Sequence, residues 1–530
     1  MRFQPLDAEK SGLYSKLVLD YLAKKKELEP FISNWPTREG FHKQIQERAN
    51  FPVDRENLVQ ALRRQYSQLE PGTAVEANLK RLEDPNTYTV TTGQQIHVFL
   101  GPMYVYWKII STIALARKLK QEFPENHFVP VFWMATEDHD FAEIDHLELF
   151  KRSFKWGRNR SIPGPVGRLS TEGLPELSEE ILALFTREEK FKKYETLFQE
   201  AYTHFENFAD ATRFLVHSLF GEYGLVVLDP DDEALKKDLL PIVRDELLFE
   251  KSKERVEETS ETLAKTYSLQ IHPREINLFY VGGAGRERLV KNEGRIETLS
   301  GEILGDTATL DSWLPKKMKD ISTNVVLRPV YQECILPNLA YIGGPGETAY
   351  WLQLKGVFDH YSVLFPILEN RKSIFIIGEK IKAGIEKFKL QVEDLFLDED
   401  DLRQKVMERS DDGLVSLKEE LGEWELLKDK MIKKAAAINP AQARPIAEIF
   451  NQNEKIIRKI EKEIFTLQEA GLEKGLEKVF KIKALIKEKG FTQERDQYLI
   501  QYLFQLDTSV VIDLLTMNYD ECGPVALLIE

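Results

Sequence analysis

The chain has 530 residues and carries 72 Lys and Arg against 87 Asp and Glu, which gives a formal net charge of −15. That length exceeds what a single hydrophobic core supports, so two or three domains are expected. The acidic balance argues against a general nucleic-acid or membrane-surface binder, although a local basic groove is still compatible with it.

The sequence also indicates the cellular setting. No apolar run approaches the roughly 20 residues that a membrane-spanning helix needs, and the first residues form no hydrophobic signal core. There are two cysteines, Cys334 and Cys522. Such low usage is typical of a reducing compartment and excludes a disulfide framework or a Cys-rich zinc site. We therefore expect a cytoplasmic protein with neither a membrane nor a nucleic-acid partner.

The first third of the chain predicts helices followed by a β-α-β unit. Apolar residues at helical spacing indicate amphipathic helices within residues 10–85. A strand at 88–92 comes next, then a turn at Gly93, Gln94 and Gln95. Pro102 fits the first turn of a helix that ends near Gln121. A strand at 129–135 completes the unit, so a parallel, Rossmann-like sheet is expected.

The most informative stretch is residues 129–140, where an apolar strand ends in Glu137, Asp138, His139 and Asp140. Ligands of open α/β sheets bind beyond the carboxyl ends of such strands. Three carboxylates at one point repel one another, and a sequence tolerates this where they do chemistry or hold an ion. The strand at 225–228 also runs into acids, which favours the same edge of the sheet.

Two segments, about 151–220 and 250–325, interrupt the alternation and are predicted to be insertions or a small subdomain. The second contains a strand at 277–281 and a glycine-rich hairpin turn at 282–285. The core pattern is predicted to resume at 324–337 and 361–368. Cys334 lies in that apolar strand pattern, so a buried structural thiol is favoured over a nucleophile.

Residues 374–490 are rich in Lys and Glu and predict a helical coiled-coil domain, before a segment at 491–530 that returns to a core formed by 1–373. Heptad spacing runs from Leu414 to Ile438 and again from Ile446 to Leu467, with Pro440 between them. Two heptad helices joined by a short loop predict an antiparallel hairpin, which would serve as a dimer arm.

Several motifs together resemble a known family. They are Thr92-Gly93-Gln94-Gln95, the acidic string at 133–140, the segments at 277–280 and 327–330, and the longer string at 336–351, which contains Gly343-Gly344-Pro345-Gly346-Glu347. The chain resembles the cysteine ligases of bacillithiol biosynthesis, the BshC family, over essentially its whole length. The family usually has a small or polar residue at the position of His97, so this chain departs from the family pattern at that turn.

The resemblance implies that cysteine is added to glucosaminyl-malate to give bacillithiol. It also implies a Rossmann-like core with connecting insertions and a coiled coil used in homodimerisation. It supplies no catalytic assignment, so the roles of individual residues are argued from chemistry.

Amide formation requires an activated cysteine carboxylate, a deprotonated sugar amine, and positive or N–H groups for the malate carboxylates. We expect ATP to activate the carboxylate. His139 is the natural proton acceptor near neutral pH, while Glu137, Asp138 and Asp140 could supply the base, bind the cysteine ammonium or hold Mg²⁺. The structural alternative is a helix N-cap, with Thr136 or Asp138 capping an acidic first turn.

Other residues are candidates for substrate or nucleotide binding. The glycine string at 343–347 is not a P-loop, because Gly-Lys-Ser/Thr is missing, but its amides precede a predicted helix at 348–357 and could bind a carboxylate or phosphate. A guanidinium clamps a carboxylate in a bidentate way, yet each arginine could equally form a structural ion pair. The candidates are Thr92, Gly93, Gln94, Gln95, His97, Arg328, Asn338, Gly343, Gly344, Glu347, Tyr350 and Arg371.

Two alternatives to an ATP-dependent ligase remain open. One is cysteinyl transfer from another activated donor. The other is a coiled-coil scaffold that keeps a nucleotide-binding fold without catalysis, although such a scaffold has no need of the acids at 137–140.

Overall fold

The computed structural model describes residues 1–150, 152–157, 164–185, 191–409, 417–488, 491–503 and 505–529. The chain divides into two compact units. The first consists of Met1–Phe375 together with Glu494–Leu528, and the second is built from Ile376–Gln493. Within the described residues, no helix has the length and hydropathy needed to cross a membrane.

The strands of the described residues, in chain order, are β1 Arg2–Leu6, β2 Thr87–Gln94, β3 His127–Met134, β4 His146–Leu149, β5 Arg152–Lys155, β6 Val226–Leu228, β7 Leu278–Gly282, β8 Gly285–Asn292, β9 Arg295–Thr298, β10 Ile303–Asp306, β11 Ile321–Thr323, β12 Asn338–Gly343, β13 Ile367–Asn370, β14 Ser373–Ile377, β15 Lys487–Glu488, β16 Phe491–Thr492 and β17 Val525–Ile529.

The α-helices of the same residues are α1 Ala8–Ser11, α2 Lys16–Leu22, α3 Arg38–Arg48, α4 Arg55–Gln65, α5 Gly72–Arg81, α6 Met103–Glu122, α7 Phe141–Ile144, α8 Leu174–Leu182, α9 Lys192–His204, α10 Phe208–Phe220, α11 Glu233–Lys236, α12 Leu240–Phe249, α13 Lys251–Leu263, α14 Leu310–Lys317, α15 Arg328–Ile335, α16 Pro345–Trp351, α17 Lys355–His360, α18 Glu379–Lys387, α19 Glu399–Glu408, α20 Lys418–Ile438, α21 Ala443–Lys483, α22 Gln493–Asp496 and α23 Thr508–Met517.

A five-stranded parallel sheet forms the centre of the first unit, in the order β13-β12-β2-β3-β6. Its strands are almost wholly buried, which the apolar run of β3 predicts and the threonine-rich sequence of β2 does not. The chain starts at β2 in the middle, moves outward through β3 and β6, and then crosses to β12 and β13. The strand order therefore reverses between β2 and β12, and a ligand crevice is expected at the carboxyl ends of those strands. The predicted Rossmann-like sheet is confirmed.

Helix α6 makes the crossover from β2 to β3 and packs on both strands. Its long buried face agrees with an apolar helix that lies against a sheet. Pro102 is the N-cap of α6 rather than part of its first turn. Gly93 and Gln94 belong to β2, so the turn predicted there starts later.

A second sheet lies within the insertion predicted at 250–325. It is antiparallel, with strand order β10-β9-β8-β7-β11. Gly282 pairs with Gly285, so Gly283 and Ala284 form a two-residue hairpin turn, as predicted.

The strand pattern predicted at 324–337 is wrong, because α15 occupies Arg328–Ile335. Pro329 lies in its first turn, where a missing N–H costs no hydrogen bond. The helix is buried on most of its surface, including the polar Gln332 and Glu333, and its Val330, Tyr331 and Ile335 are residue types that favour strands. Similarly, the helix predicted at 348–357 is split into α16, a short 3₁₀ turn and α17.

The second unit contains the predicted antiparallel hairpin, formed by α20 and α21. Trp424 on one helix packs against Phe450 on the other, with ring centroids 4.9 Å apart. Near the other end of α21, Leu476 and Val479 join a small core with Leu390, Leu402 and Val406. Leu414, the first predicted heptad residue, lies outside the described residues.

Candidate active site

A cavity of about 710 Å³ opens at the carboxyl edge of the parallel sheet. That size is in the range of small-molecule sites. It lies where the strand order reverses, between the ends of β2 and β12, and it extends along the ends of β3 and β13. The predicted site residues that line it are Gly93, Gln94, Gln95, Glu137, Asp138, Arg328, Gly344, Glu347, Tyr350 and Arg371.

Asp138 presents its carboxylate at the cavity wall in a fixed orientation. Its Oδ1 accepts hydrogen bonds from the backbone N–H groups of His139 (2.6 Å) and Asp140 (3.2 Å). The Gln95 side chain donates to Oδ2 at 2.6 Å. Gln95 also hydrogen-bonds Glu143, whose pKa is raised by burial. One amide therefore holds two carboxylates at the same side of the cavity.

Glu137, by contrast, is buried in a closed ion-pair network. The Lys236 ammonium contacts Glu137 at 2.8 Å and Asp231 at 2.7 Å. The Arg168 guanidinium also contacts Asp231, at 2.6 Å and 2.8 Å. Burial works to raise the pKa of Asp231, but Arg168 and Lys236 outweigh it and bring that pKa to about 2. These charges neutralise one another, as a buried network must.

His139 and Asp140 are engaged in local structure. The Arg286 guanidinium donates to His139 Nδ1 at 2.8 Å. Since arginine can only donate, Nδ1 is unprotonated and the neutral ring carries its proton on Nε2. The lone pair that a general base would use is thus taken by Arg286. Asp140 is the N-cap of α7 and accepts from the Glu143 N–H, so the capping role expected of Thr136 or Asp138 falls to Asp140.

The possible magnesium site at Glu137, Asp138 and Asp140 stays a prediction. Within the described ranges, no group of three or more His, Cys, Asp or Glu side chains is placed to hold a metal ion. Each carboxylate of the acidic segment also has partners within the protein. Glu137 is paired with Lys236, Asp138 accepts three N–H groups, and Asp140 caps a helix.

A buried lysine joins the two strand ends that flank the crevice. Lys108, on α6, donates to the Gly93 carbonyl at 2.6 Å, to Gln94 Oε1 at 3.1 Å and to Glu347 Oε2 at 2.6 Å. Burial works to raise the pKa of Glu347, but the Lys108 ammonium outweighs it and leaves that pKa below the usual range. Glu347 also accepts from Tyr341 OH and from the Gly344 N–H. It is therefore fully used within the protein.

The glycine string offers fewer free amides than its sequence predicts. The Gly344 N–H is capped by Glu347, and Pro345 has no N–H to give. Gly343 does not line the cavity, and its carbonyl accepts a hydrogen bond from the backbone N–H of Arg371 at 2.8 Å.

Arg328 is the candidate clamp that remains available. It lines the cavity and packs over the rings of Tyr341 and Trp351, at 5.5 Å and 5.9 Å from their centroids. Its hydrogen bonds to Gln332 and Tyr350 are long, at 3.3 Å and 3.4 Å. No carboxylate of the described residues lies within 4.0 Å of its guanidinium nitrogens. A side chain at Gly93 would approach that guanidinium to about 3.5 Å, so the glycine leaves room beside it.

Arg371 also lines the cavity, but it forms the structural ion pair that was the alternative to a clamp. Its two terminal nitrogens contact the Glu494 carboxylate at 2.6 Å and 2.8 Å, and both side chains are buried. This bidentate geometry uses the guanidinium edge that would otherwise bind a substrate carboxylate.

Two candidates, Thr92 and Asn338, hydrogen-bond within the interior of the protein. Thr92 donates to the Ile342 carbonyl and joins β2 to β12. Asn338 bonds Thr89, Thr91 and Glu333 in the core.

His97 is packed in the apolar interior, and burial lowers its pKa to about 4. Its ring lies 2.9 Å from the position that a Cβ would take on Gly101, which has a φ of +73°. Cys334 lies on α15, not in a strand, and burial raises the pKa of its thiol to about 12, so it is a structural thiol.

The motifs missed several residues of the cavity. Tyr104, Glu143, Arg286 and Arg495 line it, and Lys108 supports it from behind. Glu143 follows the acidic string closely and could have been added to it. Tyr104 and Arg286 lie within ten residues of a motif, but no pattern in the sequence shows that they face the cavity. Arg495 lies far from every motif, and only the fold brings it to the cavity.

The fold and cavity define a Rossmann-like protein with a charged small-molecule site at the reversal of strand order, as in many enzymes. Residues 1–372 match the N-terminal Rossmann-like domain of bacillithiol biosynthesis BshC. Residues 374–521 match the C-terminal coiled-coil domain of the same family. The chain belongs to the BshC family of bacillithiol biosynthesis.

Curated relatives agree with this assignment. A protein of Flavobacterium psychrophilum is 45% identical over 395 residues, which is 73% of each chain. One from Flavobacterium johnsoniae is 38% identical over 94% of each chain, and one from Cytophaga hutchinsonii is 35% identical over 97% of each. All three carry the name "Putative cysteine ligase BshC".

Proposed function

We propose that this protein is a ligase that joins L-cysteine to the amine of glucosaminyl-malate, the last step of bacillithiol formation. ATP is proposed to activate the cysteine carboxylate. The family assignment supports the pathway, and the names of the relatives support a cysteine ligase. The substrate and the position of the step are taken from the resemblance to the BshC family, and the use of ATP is inferred from the need to activate a carboxylate.

The observation that carries the proposal is the distribution of charge around one cavity. Arg328 reaches its wall without a carboxylate partner among the described residues, while Asp138 and Glu143 face the same space. Arg286 adds a second positive charge at the wall, although its nitrogens donate to Ser322, His139 and the Thr323 carbonyl. Glucosaminyl-malate has two carboxylates and one amine, so it needs both signs of charge. Guanidinium groups also suit phosphate oxygens, which ATP or an activated cysteine would present.

Asp138 is proposed as the group that accepts a proton from the sugar amine. Its carboxylate is fixed by three donors and lines the cavity, whereas the Nδ1 lone pair of His139 is used by Arg286. The amine nitrogen attacks the activated carbonyl carbon, and a C–N bond forms. The bond to phosphate or AMP breaks, and the amine proton passes to Asp138. Arg328 is proposed to hold a carboxylate or phosphoryl group while this occurs.

Mass spectrometry of the purified protein with cysteine, glucosaminyl-malate, ATP and Mg²⁺ tests the proposal. We expect a product at the mass of bacillithiol, with ADP released if the intermediate is an acyl phosphate and AMP if it is an adenylate. Product formed equally well without ATP would refute ATP activation and favour another cysteinyl donor. A wild-type protein that neither binds glucosaminyl-malate nor forms product would favour the scaffold alternative.

We also propose that the α20–α21 hairpin, considered by itself, forms a homodimer interface. Large apolar side chains are exposed along it, and exposed apolar surface of this kind marks association sites. They include Leu426, Leu427, Met431, Ile438, Ile449, Ile456, Ile460 and Leu467.

The test of that interface is a triple charge substitution, Ile449→Glu, Ile456→Glu and Ile460→Glu. Analytical ultracentrifugation should show a monomer for this variant and a dimer for the wild type. The exposed substitution Phe249→Glu in the first unit is the matched control and should stay dimeric. A triple variant that stays dimeric with unchanged helicity would refute the hairpin interface.

A further inference from the structure

The C-terminal segment of the first unit places two charged neighbours, Glu494 and Arg495, at the cavity. They are consecutive on α22. Glu494 points into the protein and forms the buried bidentate pair with Arg371. Arg495 is exposed and lines the cavity. The segment therefore pairs Arg371 with Glu494 and places a different arginine, Arg495, at the cavity.

The position of Arg495 is set by an aromatic ring. Its guanidinium carbon lies 5.8 Å from the centroid of Tyr104, and that of Arg371 lies 5.8 Å from the same centroid. Tyr104 itself lines the cavity, and its hydroxyl accepts a long hydrogen bond from Gln94. A guanidinium over an aromatic face is restrained, so less side-chain entropy is lost when it binds an anion.

Backbone contacts hold the same segment on the start of α6. The Met103 N–H donates to the Gln497 carbonyl at 2.8 Å, and Pro102 forms a β-bridge with Tyr498. Tyr104 and Arg495 thus belong to two segments that are hydrogen-bonded to each other. In the part of the chain that the structure describes, no carboxylate lies within 4.0 Å of the Arg495 guanidinium nitrogens.

We propose that Arg495 is a substrate-binding residue that takes an anionic group, a carboxylate or a phosphoryl group, at the cavity. The identity of the substrate rests on the function proposed above, but the anion site itself does not. A fixed guanidinium without a carboxylate partner binds such a group through two N–H donors. Arg371 does not bind the anion, because its terminal nitrogens are already bonded to the Glu494 carboxylate. Arg495 and Arg328 are therefore the two arginines that recognise anions.

The direct test is calorimetric titration of wild type and Arg495→Gln with two probes, glucosaminyl-malate and ATP. We expect the Kd of one probe to rise about 10- to 100-fold, which is what the loss of a charged hydrogen bond produces. A rise for glucosaminyl-malate identifies a carboxylate, and a rise for ATP identifies a phosphoryl group. Unchanged affinity for both probes, or no binding of either by the wild type, overturns the proposal.

Two further variants separate binding from structure. Arg63→Gln removes a surface arginine that pairs with Glu76, and it should leave both affinities unchanged. Arg495→Lys keeps the charge and should recover part of the lost affinity. If Arg495→Gln and Arg495→Lys weaken binding equally while lowering the melting temperature, the residue is structural and the proposal fails.

Steady-state kinetics distinguish this inference from the proposed ligase activity. Arg495→Gln should raise KM for the affected substrate with little change in kcat, because the group binds substrate before and during the reaction. If the wild type forms no product but binding still depends on Arg495, the ligase function fails and the anion site stands. If product forms and neither KM nor Kd responds, the function stands and the anion site is overturned.

Discussion

Glu137 and Asp138 are joined by one peptide bond, yet they belong to two different electrostatic regions. Glu137 turns into the closed network of Lys236, Asp231 and Arg168, where each charge has a partner. Asp138 turns to the cavity, where its donors orient it but supply no opposite full charge. The comparison shows that charge density at a strand end indicates where the cavity lies, whereas the direction of each side chain decides which charges face it.

We expect the largest loss of stability in the buried ion-pair network around Glu137. Replacing Lys236 by Met leaves Glu137 buried without its paired cation and Asp231 with Arg168 alone, and we expect the free energy of unfolding to fall by about 3–5 kcal/mol. Urea denaturation measures it. The neighbouring Lys237→Met, which removes an exposed lysine 4.0 Å from Glu233, should cost less than about 1 kcal/mol. Equal costs for the two lysines would show that the network is not a structural unit.

A change at Asp138, which faces the cavity, should instead lower activity more than stability. Asp138→Asn removes the proposed proton acceptor, and we expect kcat to fall about 100- to 1000-fold, within the usual range for general-base loss. The stability cost should stay near 1 kcal/mol, since an amide oxygen can still accept the two backbone N–H groups. Product formation and urea denaturation measure the two effects.

Glu137→Gln is the matched variant for this experiment, and it should show the opposite balance, with a larger loss of stability than of kcat. Ligase activity that survives Asp138→Asn but not Glu137→Gln would show that Glu137, and not Asp138, is the carboxylate needed for the reaction. His139→Ala should reduce activity less than Asp138→Asn does, because it removes only the ring that Arg286 contacts.

The third prediction concerns His97, which is buried but is not part of the ion-pair network around Glu137. Its folded pKa of about 4 lies below the ordinary 6.5, so the unfolded chain binds the proton first as pH falls. Stability linked to His97 is therefore complete above pH 6.5 and is lost between pH 6.5 and 4, with a full span of about 3 kcal/mol.

His97→Gln should remove that pH dependence. We expect the drop in unfolding free energy between pH 7 and pH 4.5 to be about 2–3 kcal/mol smaller in this variant than in wild type. Urea denaturation at the two pH values measures it. The exposed His42→Gln should keep the wild-type drop. Identical drops in all three proteins would mean that the His97 environment is accessible to protons.

Much of the fold could be predicted because its local patterns are strong. The apolar runs ending in acids identified β3 and β6, and the heptads identified the hairpin of α20 and α21. The prediction failed at α15, a helix that is buried on most of its surface and contains the strand-favouring residues Val330, Tyr331 and Ile335. Periodicity separates helix from strand only when one face of the element remains polar.

The site was predicted less completely, for a different reason. The motifs located Gln95 and Asp138 because each closely follows a strand of the parallel sheet, and they located Arg328 because it lies in the motif at 327–330. They also offered Asn338 and His97, which are equally close to strand ends but point into the interior. No local pattern distinguishes these two outcomes, since the direction of a side chain depends on the whole backbone.

The sequence by itself determined the Rossmann-like class, the coiled-coil hairpin, the family and the edge of the sheet where the site lies. Hydrophobic periodicity, charge placement and motif order are local properties, so a linear chain displays them. The tertiary structure alone decided the ion pair between Glu494 and Arg371 and the hydrogen bond from Arg286 to His139. It also decided that Lys108 hydrogen-bonds both Gly93 and Glu347. These pairs are distant in sequence, and each depends on which groups the folded chain removes from water together.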